Sequence, residues 1–204
     1  MAKKRLAVLI SGSGSNLLAL ARAAKRRALG GGEIAVVICN VPEAKGIARA
    51  RRLGLPVVVI AHRDFPSRAA HEAAVRETLR RHKINFILLA GYMRLLTPAF
   101  VRGWKNRILN THPALLPAFP GGHGARDALS HGVKLTGCTI HFVSEAMDAG
   151  PIILQRAVEI KNGDTAASLQ KRIQIAEHQA YPEAVRLLCS GRLRIRGRRV
   201  IAGA

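Results

Sequence analysis

Cysteine is scarce in this sequence, with three residues among 204, at positions 39, 138 and 189. Their number is odd, their spacing is wide and their neighbours are largely apolar. We therefore expect buried free thiols in a reducing cytoplasm, and neither a disulfide framework nor a zinc site. The histidines show no metal-ligand spacing either, so no metal is expected.

Long apolar runs are also absent. Nothing approaches about eighteen consecutive apolar residues, so no membrane span is expected. The first residues, Met1–Arg5 followed by LAVLI, are superficially similar to a signal peptide. However, the apolar run is short, and SGSGSN follows it without a small-residue cleavage pattern. The sequence therefore predicts a cytoplasmic protein.

Acidic and aromatic residues are few. Asp and Glu number 12 against 33 Lys and Arg, a net charge of +21, and aromatic residues make up 4%. The charge would attract a phosphorylated or polycarboxylate small molecule, or nucleic acid, or it is simply a solvated basic surface. Because few aromatic rings are present to stack on bases, nucleic acid is expected to bind only non-specifically through charge.

Length and apolar content predict a single domain. A chain of 204 residues that is 49% hydrophobic can bury a substantial core. We expect one domain over residues 1–204, with a core at about 5–195 and a tail at 196–204.

Apolar runs alternate with helical segments in the first half of the chain. Strands are predicted at 6–10, 34–39, 56–60 and 85–91, and helices at 17–28, 46–54 and 68–82. Each strand is a nearly continuous run of Val, Ile and Leu, which is typical of strands covered on both faces. The pattern predicts an α/β fold with a mostly parallel, twisted sheet and helices on both faces.

The pattern changes after residue 100. A short strand RILN, a helix ARDALSHG and two longer strands, LTGCTIHFVS and PIILQRAVEI, follow in order. The two longer strands are separated by six residues, which is short for a helical crossover, so we expect an antiparallel strand pair in the C-terminal half. A helix at about 165–189 and an edge hairpin in RLRIRGRRVI complete the predicted fold.

The segment ISGSGSNLLAL places a glycine-rich turn between a strand and a helix, where free N–H groups form an anion site. Gly12 and Gly14 allow close backbone approach, and Ser13, Ser15 and Asn16 add side-chain donors. The alternative is a tight turn capped by Ser or Asn. Leu17 occupies the position where a dinucleotide fingerprint needs glycine, and no Gly-Lys-Ser/Thr is present. A single phosphate, as on a ribose 5-phosphate, therefore fits best.

A second candidate site is formed by LNTHPALLPAFPGG. Asn110 and His112 lie two residues apart at the end of a strand, so an extended chain points both the same way. An amide can stabilise an oxyanion and an imidazole can transfer a proton. Asp148, in the turn EAMDAGPII, could bias that imidazole towards its charged form. The alternatives are a turn-capping Asn110, a structural His112 and an ordinary Asx turn at Asp148.

Five segments together carry a family resemblance: ISGSGSNL, LAGYMRLLTPAF, LNTHPALLPAFPG, HFVSEAMDAGPIILQ and AEHQAYPEAV. The chain from about residue 5 to residue 195 resembles the phosphoribosylglycinamide formyltransferases of the 10-formyltetrahydrofolate-dependent formyltransferase family. The resemblance implies a Rossmann-like fold and formyl transfer to glycinamide ribonucleotide in purine synthesis. The formyl folate would be a cosubstrate, and the protein would be a monomer or homodimer.

The resemblance also implies roles for particular residues. The catalytic set would be Asn110, His112 and Asp148, acting by direct amine attack through a tetrahedral intermediate. The ribonucleotide positions would be Gly14, Ser15, Asn16, Leu17, Leu18, Gln174 and Glu177. The folate positions would be Arg68, Met93, Arg94, Leu95, Leu96, Asn110, Ser144, Glu145, Ala146, Met147 and Asp148.

One departure and three alternatives remain. Ala125 stands where many family members carry a second histidine, which leaves the role of its loop open. A methionyl-tRNA formyltransferase is expected to have a further C-terminal domain, and a formyltetrahydrofolate hydrolase a further N-terminal one. A basic RNA-binding module would explain the charge but would leave Asn110, His112 and Asp148 without a purpose.

Overall fold

The computed structural model describes residues 3–203, so Met1, Ala2 and Ala204 of the predicted domain lie outside the described residues. The strands are β1 (Lys4–Ile10), β2 (Gly32–Cys39), β3 (Val57–Val59), β4 (Phe86–Leu89), β5 (Ile108–His112), β6 (Leu135–Phe142), β7 (Ile152–Glu159), β8 (Leu193–Arg196) and β9 (Arg199–Ala202). The α-helices are α1 (Ser15–Lys25), α2 (Lys45–Arg52), α3 (Arg68–Arg81), α4 (Pro98–Gly103), α5 (Gly124–Ser130) and α6 (Ala166–Cys189).

All of these strands form one sheet in the order β3-β2-β1-β4-β5-β6-β7-β9-β8. The first five strands in that order are parallel. β6 is antiparallel to both of its neighbours, β5 and β7, which confirms the predicted antiparallel pair. β8 and β9 form the predicted hairpin, and β9 pairs with β7, so residues assigned to the tail extend the sheet.

The sheet is covered by helices on both faces, as predicted. In β1 the side chains of Leu6, Val8 and Ile10 belong to one apolar cluster, with residues of α1, α2, α5 and α6. Those of Ala7 and Leu9 belong to the other, with residues of α3 and α4. A strand buried on both faces has no polar position, which explains its uninterrupted apolar run.

Two short elements were not predicted: a single 3-10 turn, His62–Asp64, and helix α4. The signal for α4 was the dipeptide Thr97-Pro98. Thr97 is the N-cap, with its side chain accepting a hydrogen bond from the Phe100 N–H, and Pro98 occupies the first helical turn. Six residues are too few to show a helical period, so the pattern alone did not reveal the helix.

Helix α6 joins the sheet through one buried phenol. Tyr181 is fully buried, and its hydroxyl lies 3.1 Å from the carbonyl oxygens of both Leu89 and Leu109. These residues belong to the adjacent strands β4 and β5, whose carboxyl ends carry candidate site residues. Because one O–H donor serves both carbonyls, this contact fixes the height of α6 above the sheet.

We expect Tyr181→Phe to lower the free energy of unfolding by about 1–2 kcal/mol, because the hydrogen bond is lost and two buried carbonyls lose a donor. The matched control is Tyr92→Phe. Tyr92 is also buried, but its hydroxyl makes no hydrogen bond to the described residues. Urea unfolding measures both variants. An equal effect of the two substitutions would contradict the role given to Tyr181.

Candidate active site

The glycine-rich loop opens the candidate site at the carboxyl end of β1. Gly14 is the N-cap of α1, with φ at 72°, and no side chain caps the helix. The alternative of a turn capped by Ser or Asn is therefore wrong. The first N–H groups of α1 are left without a side-chain acceptor, which suits an anion.

The back of this loop is closed by helix α2. The Gly46 N–H donates to the Gly12 carbonyl at 2.9 Å. A Cβ on Gly14 would lie 3.0 Å from the Gly46 Cα, and the left-handed backbone at Gly14 disfavours any side chain. Glycine at position 14 therefore allows a left-handed N-cap and a close contact with α2. It also leaves the side of the loop away from α2 accessible.

Asn16 and Leu17 point inwards. Leu17 is fully buried in the core, so only its backbone is available to a ligand. The Asn16 side chain donates to the Glu177 Oε2 at 2.9 Å, and its Oδ1 is buried without a partner in residues 3–203. The expectation that the Asn16 side chain donates towards a phosphate is therefore not met. The unpaired Asn16 Oδ1 is an acceptor, so it suits a hydrogen-bond donor of a ligand and not a phosphate oxygen.

Glu177 joins three elements at the inner end of the site. It is 5% exposed and accepts hydrogen bonds from Asn16 and from the Thr111 hydroxyl, which lies 3.2 Å from Oε1. Burial raises the pKa of Glu177, and the two hydrogen bonds oppose that shift. Gln174 lies one turn earlier on α6 and is half-buried.

The second candidate group lies at the end of β5. Asn110 and His112 share the face opposite to Thr111, as the extended reading predicted. The antiparallel ladder sets His141 of β6 directly across from Asn110, and the Asn110 Nδ2 lies 3.3 Å from the His141 Nε2. His141 has no metal-ligand spacing and was not among the predicted site residues. His141 can be recognised as a site residue only when β6 is paired with β5, because this pairing places it opposite Asn110.

Hydrogen bonds identify the protonation state of His141. Its Nδ1 lies 3.0 Å from the Phe142 carbonyl oxygen and so carries the proton. Its Nε2 then has a free lone pair, which accepts from the Asn110 amide. Burial lowers the pKa of His141, in agreement with a neutral ring. His141 therefore fixes which way the Asn110 amide points, with Nδ2 as donor.

Asp148 completes the group from the loop between β6 and β7. Its backbone is left-handed, with φ at 50°, which is uncommon for a residue other than glycine. The Oδ2 atom accepts from the Gly121 N–H at 2.8 Å and lies 3.4 Å from the His112 Nδ1. The Oδ1 atom lies 3.7 Å from the His141 Nε2. The structure thus brings Asn110, His112 and Asp148 together.

The other ring nitrogen of His112 also faces an acceptor. Its Nε2 lies 2.8 Å from the carbonyl oxygen of Phe119, a residue with φ at 54°. His112 is thus held between a carboxylate and a backbone carbonyl, both of which are acceptors. His141 lies instead between the Phe142 carbonyl and the Asn110 amide.

The proline-rich stretch after His112 is fastened by Thr139 of β6. The Thr139 hydroxyl accepts from the Leu116 N–H at 3.0 Å and donates to the Ala114 carbonyl at 2.7 Å. The Gln155 amide of β7 bonds to the Leu116 carbonyl and to the Thr139 hydroxyl, each at 2.9 Å. Buried hydrogen bonds to β6 and β7, and not the prolines alone, therefore hold this segment.

The predicted folate positions form two loops beside this group. Met93 and Leu95 on one loop and Met147 on the other are exposed, at 77%, 58% and 55%. Glu145 is tied to Arg102 of α4 by an ion pair of 2.6 Å. Arg68 lies on the exposed start of α3, and no hydrogen bond or ion pair joins it to these loops among the described residues.

Within residues 3–203 no group of three His, Cys, Asp or Glu residues could hold a metal ion. Two surface depressions, of about 590 and 340 Å³, lie at the β8–β9 hairpin and between β7 and α6, and neither includes a predicted site residue. None of the described helices is both long and apolar enough to cross a membrane.

Comparison with known proteins gives a consistent result. A family model described as formyl transferase matches residues 4–185. A phosphoribosylglycinamide formyltransferase of Bacillus subtilis is 40% identical over 185 residues, covering 91% of this chain and 94% of the relative. A crystal structure of glycinamide ribonucleotide transformylase 1 from Symbiobacterium toebii superposes with a TM-score of 0.95 at 48% identity, covering 99% of this chain and 95% of that one.

Some relatives are much longer. The trifunctional purine biosynthetic protein adenosine-3 of Drosophila pseudoobscura pseudoobscura is 48% identical over 193 residues, which is 94% of this chain. The chain spans only 14% of that relative's length. The similarity to these relatives therefore concerns one part of a larger protein.

We expect Thr139→Val to destabilise the fold by about 1–3 kcal/mol, because the buried Leu116 N–H and Ala114 carbonyl both lose their partner. The matched control is Thr136→Val on the same strand. Thr136 is equally buried, but its hydroxyl has no hydrogen-bond partner in the described part of the chain, so its removal should cost almost nothing. Urea unfolding tests both, and a neutral Thr139→Val would contradict the anchoring role.

Glu177→Gln should make the thermal midpoint less dependent on pH, with the variant gaining stability over the wild type as pH rises. The raised pKa means that folding takes up a proton on Glu177, so wild-type stability falls as pH rises from about 4 through the folded-state pKa. Gln accepts from Asn16 and donates to the Thr111 hydroxyl without that penalty. Melting curves from pH 4 to 8 test this, and a pH-independent difference would refute it.

Proposed function

Because the chain belongs to the formyl transferase family, we propose that its groove transfers a formyl group from 10-formyltetrahydrofolate to the amine of glycinamide ribonucleotide. The reaction is a step of purine biosynthesis, as the names of the relatives indicate. The observation that carries the proposal is the convergence of Asn110, His112 and Asp148 beside an open helix N-terminus.

The ribonucleotide lies at the start of α1 in this proposal. Its phosphate accepts from the free N–H groups of the first turn of α1, those of Ser15, Asn16 and Leu17. Glu177 is unsuited to the phosphate, because a carboxylate repels it. The Glu177 oxygens and the unpaired Asn16 Oδ1 suit the donors of the ligand instead, its ribose hydroxyls.

The folate lies against the two exposed loops. Its apolar ring packs on the Met93 and Leu95 side chains and on Met147, which are otherwise left in water. The polar edge of the ring bonds to backbone groups of the residues 93–96 and 144–148. Asn110 and Asp148 lie at the inner end of this surface, where the formyl group must reach.

Formyl transfer proceeds by direct attack. The ribonucleotide amine forms a C–N bond to the formyl carbon, and the carbonyl oxygen becomes an oxyanion. The Asn110 amide donates one N–H to His141 and offers the other to that oxygen, and His112 donates its Nε2–H. The intermediate then collapses as the carbon–N10 bond breaks. The proton from the attacking nitrogen goes to N10, which leaves tetrahydrofolate and the formylated amide.

The Phe119 carbonyl marks the place of the oxyanion. It lies 2.8 Å from the His112 Nε2, within the range in which a donor stabilises a developing charge. One N–H cannot serve two acceptors well, so the formyl oxygen displaces this carbonyl when the folate binds. Phe119, with φ at 54°, and Gly121, with φ at 97°, lie in the segment that must adjust.

Asp148 has two tasks in this mechanism. Its Oδ2, opposite the His112 Nδ1, holds the imidazole ring so that Nε2 faces the oxyanion. Through a water molecule, it also moves the proton from the attacking nitrogen towards the leaving one. The left-handed backbone at Asp148 places the carboxylate over β5 and β6 and so serves both tasks.

The comparisons favour formyl transfer and not the alternative of a non-catalytic RNA-binding module. The relatives named above transfer the formyl group to a ribonucleotide, so a hydrolase or another acceptor has less support. A single-domain organisation, a cytoplasmic location and a monomeric or homodimeric state stay predictions.

The proposed reaction is tested by incubating the protein with glycinamide ribonucleotide and 10-formyltetrahydrofolate. Formylated ribonucleotide and tetrahydrofolate should appear in equal amounts. Asn110→Ala and His112→Ala should each lower turnover by about 10² to 10³, the usual loss for one oxyanion donor or general acid. Asp148→Asn should be at least as damaging, because it removes the carboxylate that orients His112 and relays the proton.

The control is His82→Ala, since His82 caps the end of α3 and makes no side-chain hydrogen bond to the described residues. It should keep wild-type turnover, and circular dichroism should show that every variant is folded. A folded variant of Asn110, His112 or Asp148 with near wild-type turnover would refute the role assigned to that residue.

A further inference from the structure

Ser11 joins the two loops that flank the site. It follows β1 directly and precedes Gly12 of the glycine-rich loop. Its N–H donates to the Gly91 carbonyl at 3.1 Å, and its hydroxyl accepts from the Met93 N–H at 2.8 Å. The residue that opens one loop is therefore bonded twice to the residues that open the other.

The Ser11 hydroxyl also makes a hydrogen bond to the residue that follows β2. It donates to the Asn40 Oδ1 at 2.6 Å, and Asn40 is 2% exposed at the carboxyl end of β2. The His62 Nδ1 lies 2.9 Å from the Asn40 backbone carbonyl oxygen and 3.2 Å from its side-chain nitrogen, so Asn40 is held on this side as well. Because β2, β1 and β4 are neighbours, one hydrogen-bonded chain crosses the edge of three strands.

The far end of the second loop is fixed as well. The Thr97 N–H donates to the Glu72 Oε1 at 2.7 Å, and the Thr97 hydroxyl bonds to the other oxygen of the same buried carboxylate. Only the residues 94–96 lie between the two attachment points. A ligand that orders this short span therefore acts directly beside the hydrogen bond from Met93 to Ser11, which leads to the glycine-rich loop.

We propose that Ser11 is a positioning residue that couples the two ligand sites, so that ribonucleotide and folate each tighten the binding of the other. The inference rests on the proposed function, which places one ligand on each loop. A ligand on either loop restricts the motion of the Ser11 hydroxyl, which lies between the two loops. The second ligand then loses less conformational entropy when it binds. By linkage, the coupling factor is the same in both directions.

The test measures binding of glycinamide ribonucleotide by calorimetry, alone and with saturating tetrahydrofolate, which has no formyl group to transfer. In the wild type we expect the dissociation constant to fall at least about fivefold when tetrahydrofolate is present. In Ser11→Ala this ratio should drop to nearly one. A merely structural role would weaken binding equally with and without the second ligand and would leave the ratio unchanged.

Two variants serve as controls. Ser11→Thr keeps the hydroxyl and should keep the coupling ratio. Ser130→Ala removes an exposed hydroxyl whose one hydrogen bond within residues 3–203 is to the Asp127 carbonyl at the end of α5, and it should leave all constants at wild-type values. A wild-type ratio in a folded Ser11→Ala protein would overturn the proposal, and so would a ratio of one in the wild type.

A measurement on the wild type decides the matter if Ser11→Ala does not fold. Hydrogen exchange of the Met93 amide should slow when glycinamide ribonucleotide alone is added, because its acceptor, Ser11, becomes ordered. Unchanged exchange would refute the coupling. Formyl transfer by the wild type is assayed in parallel: transfer without coupling rejects this inference alone, whereas absence of both transfer and ligand binding rejects the proposed function.

Discussion

The site depends on one carboxylate that is shared between two loops and two strands. Asp148 accepts the Gly121 N–H at 2.8 Å, and so fastens the segment after the prolines to the loop between β6 and β7. The same oxygen faces His112 at 3.4 Å, and the other faces His141. The left-handed backbone that allows this is unfavourable for a residue other than glycine, by about 1–3 kcal/mol. The hydrogen bond from Gly121 and the contacts with the two histidines offset that strain.

Two histidines beside this carboxylate are oriented by different neighbours. His112 lies between Asp148 and the Phe119 carbonyl, so both ring nitrogens face acceptors. His141 lies between the Phe142 carbonyl and the Asn110 amide, and burial lowers its pKa. The contacts of each ring are thus set by residues from neighbouring strands and loops.

The predictions from sequence succeeded where the signal was local. The strands of the parallel half were recognisable because burial on both faces requires continuous apolar runs, and the pair at 110 and 112 because strand geometry has a period of two. The predictions failed where a residue distant in sequence determines the hydrogen bonds of a side chain. Asn16 was read as a donor towards a phosphate, but Glu177, 161 residues away, takes its amide. His141 gained meaning only opposite Asn110.

The sequence by itself determined the α/β fold, the antiparallel strands, the glycine-rich turn and the presence of an amide, an imidazole and a carboxylate. Each of these follows from residues close in the chain, whose conformational preferences act locally. Only the tertiary structure decided that Gly14 packs on α2, that Thr139 holds the proline segment, and that Ser11 links two loops. Such contacts depend on strand order and register, which bring distant residues within hydrogen-bond distance and which no local pattern specifies.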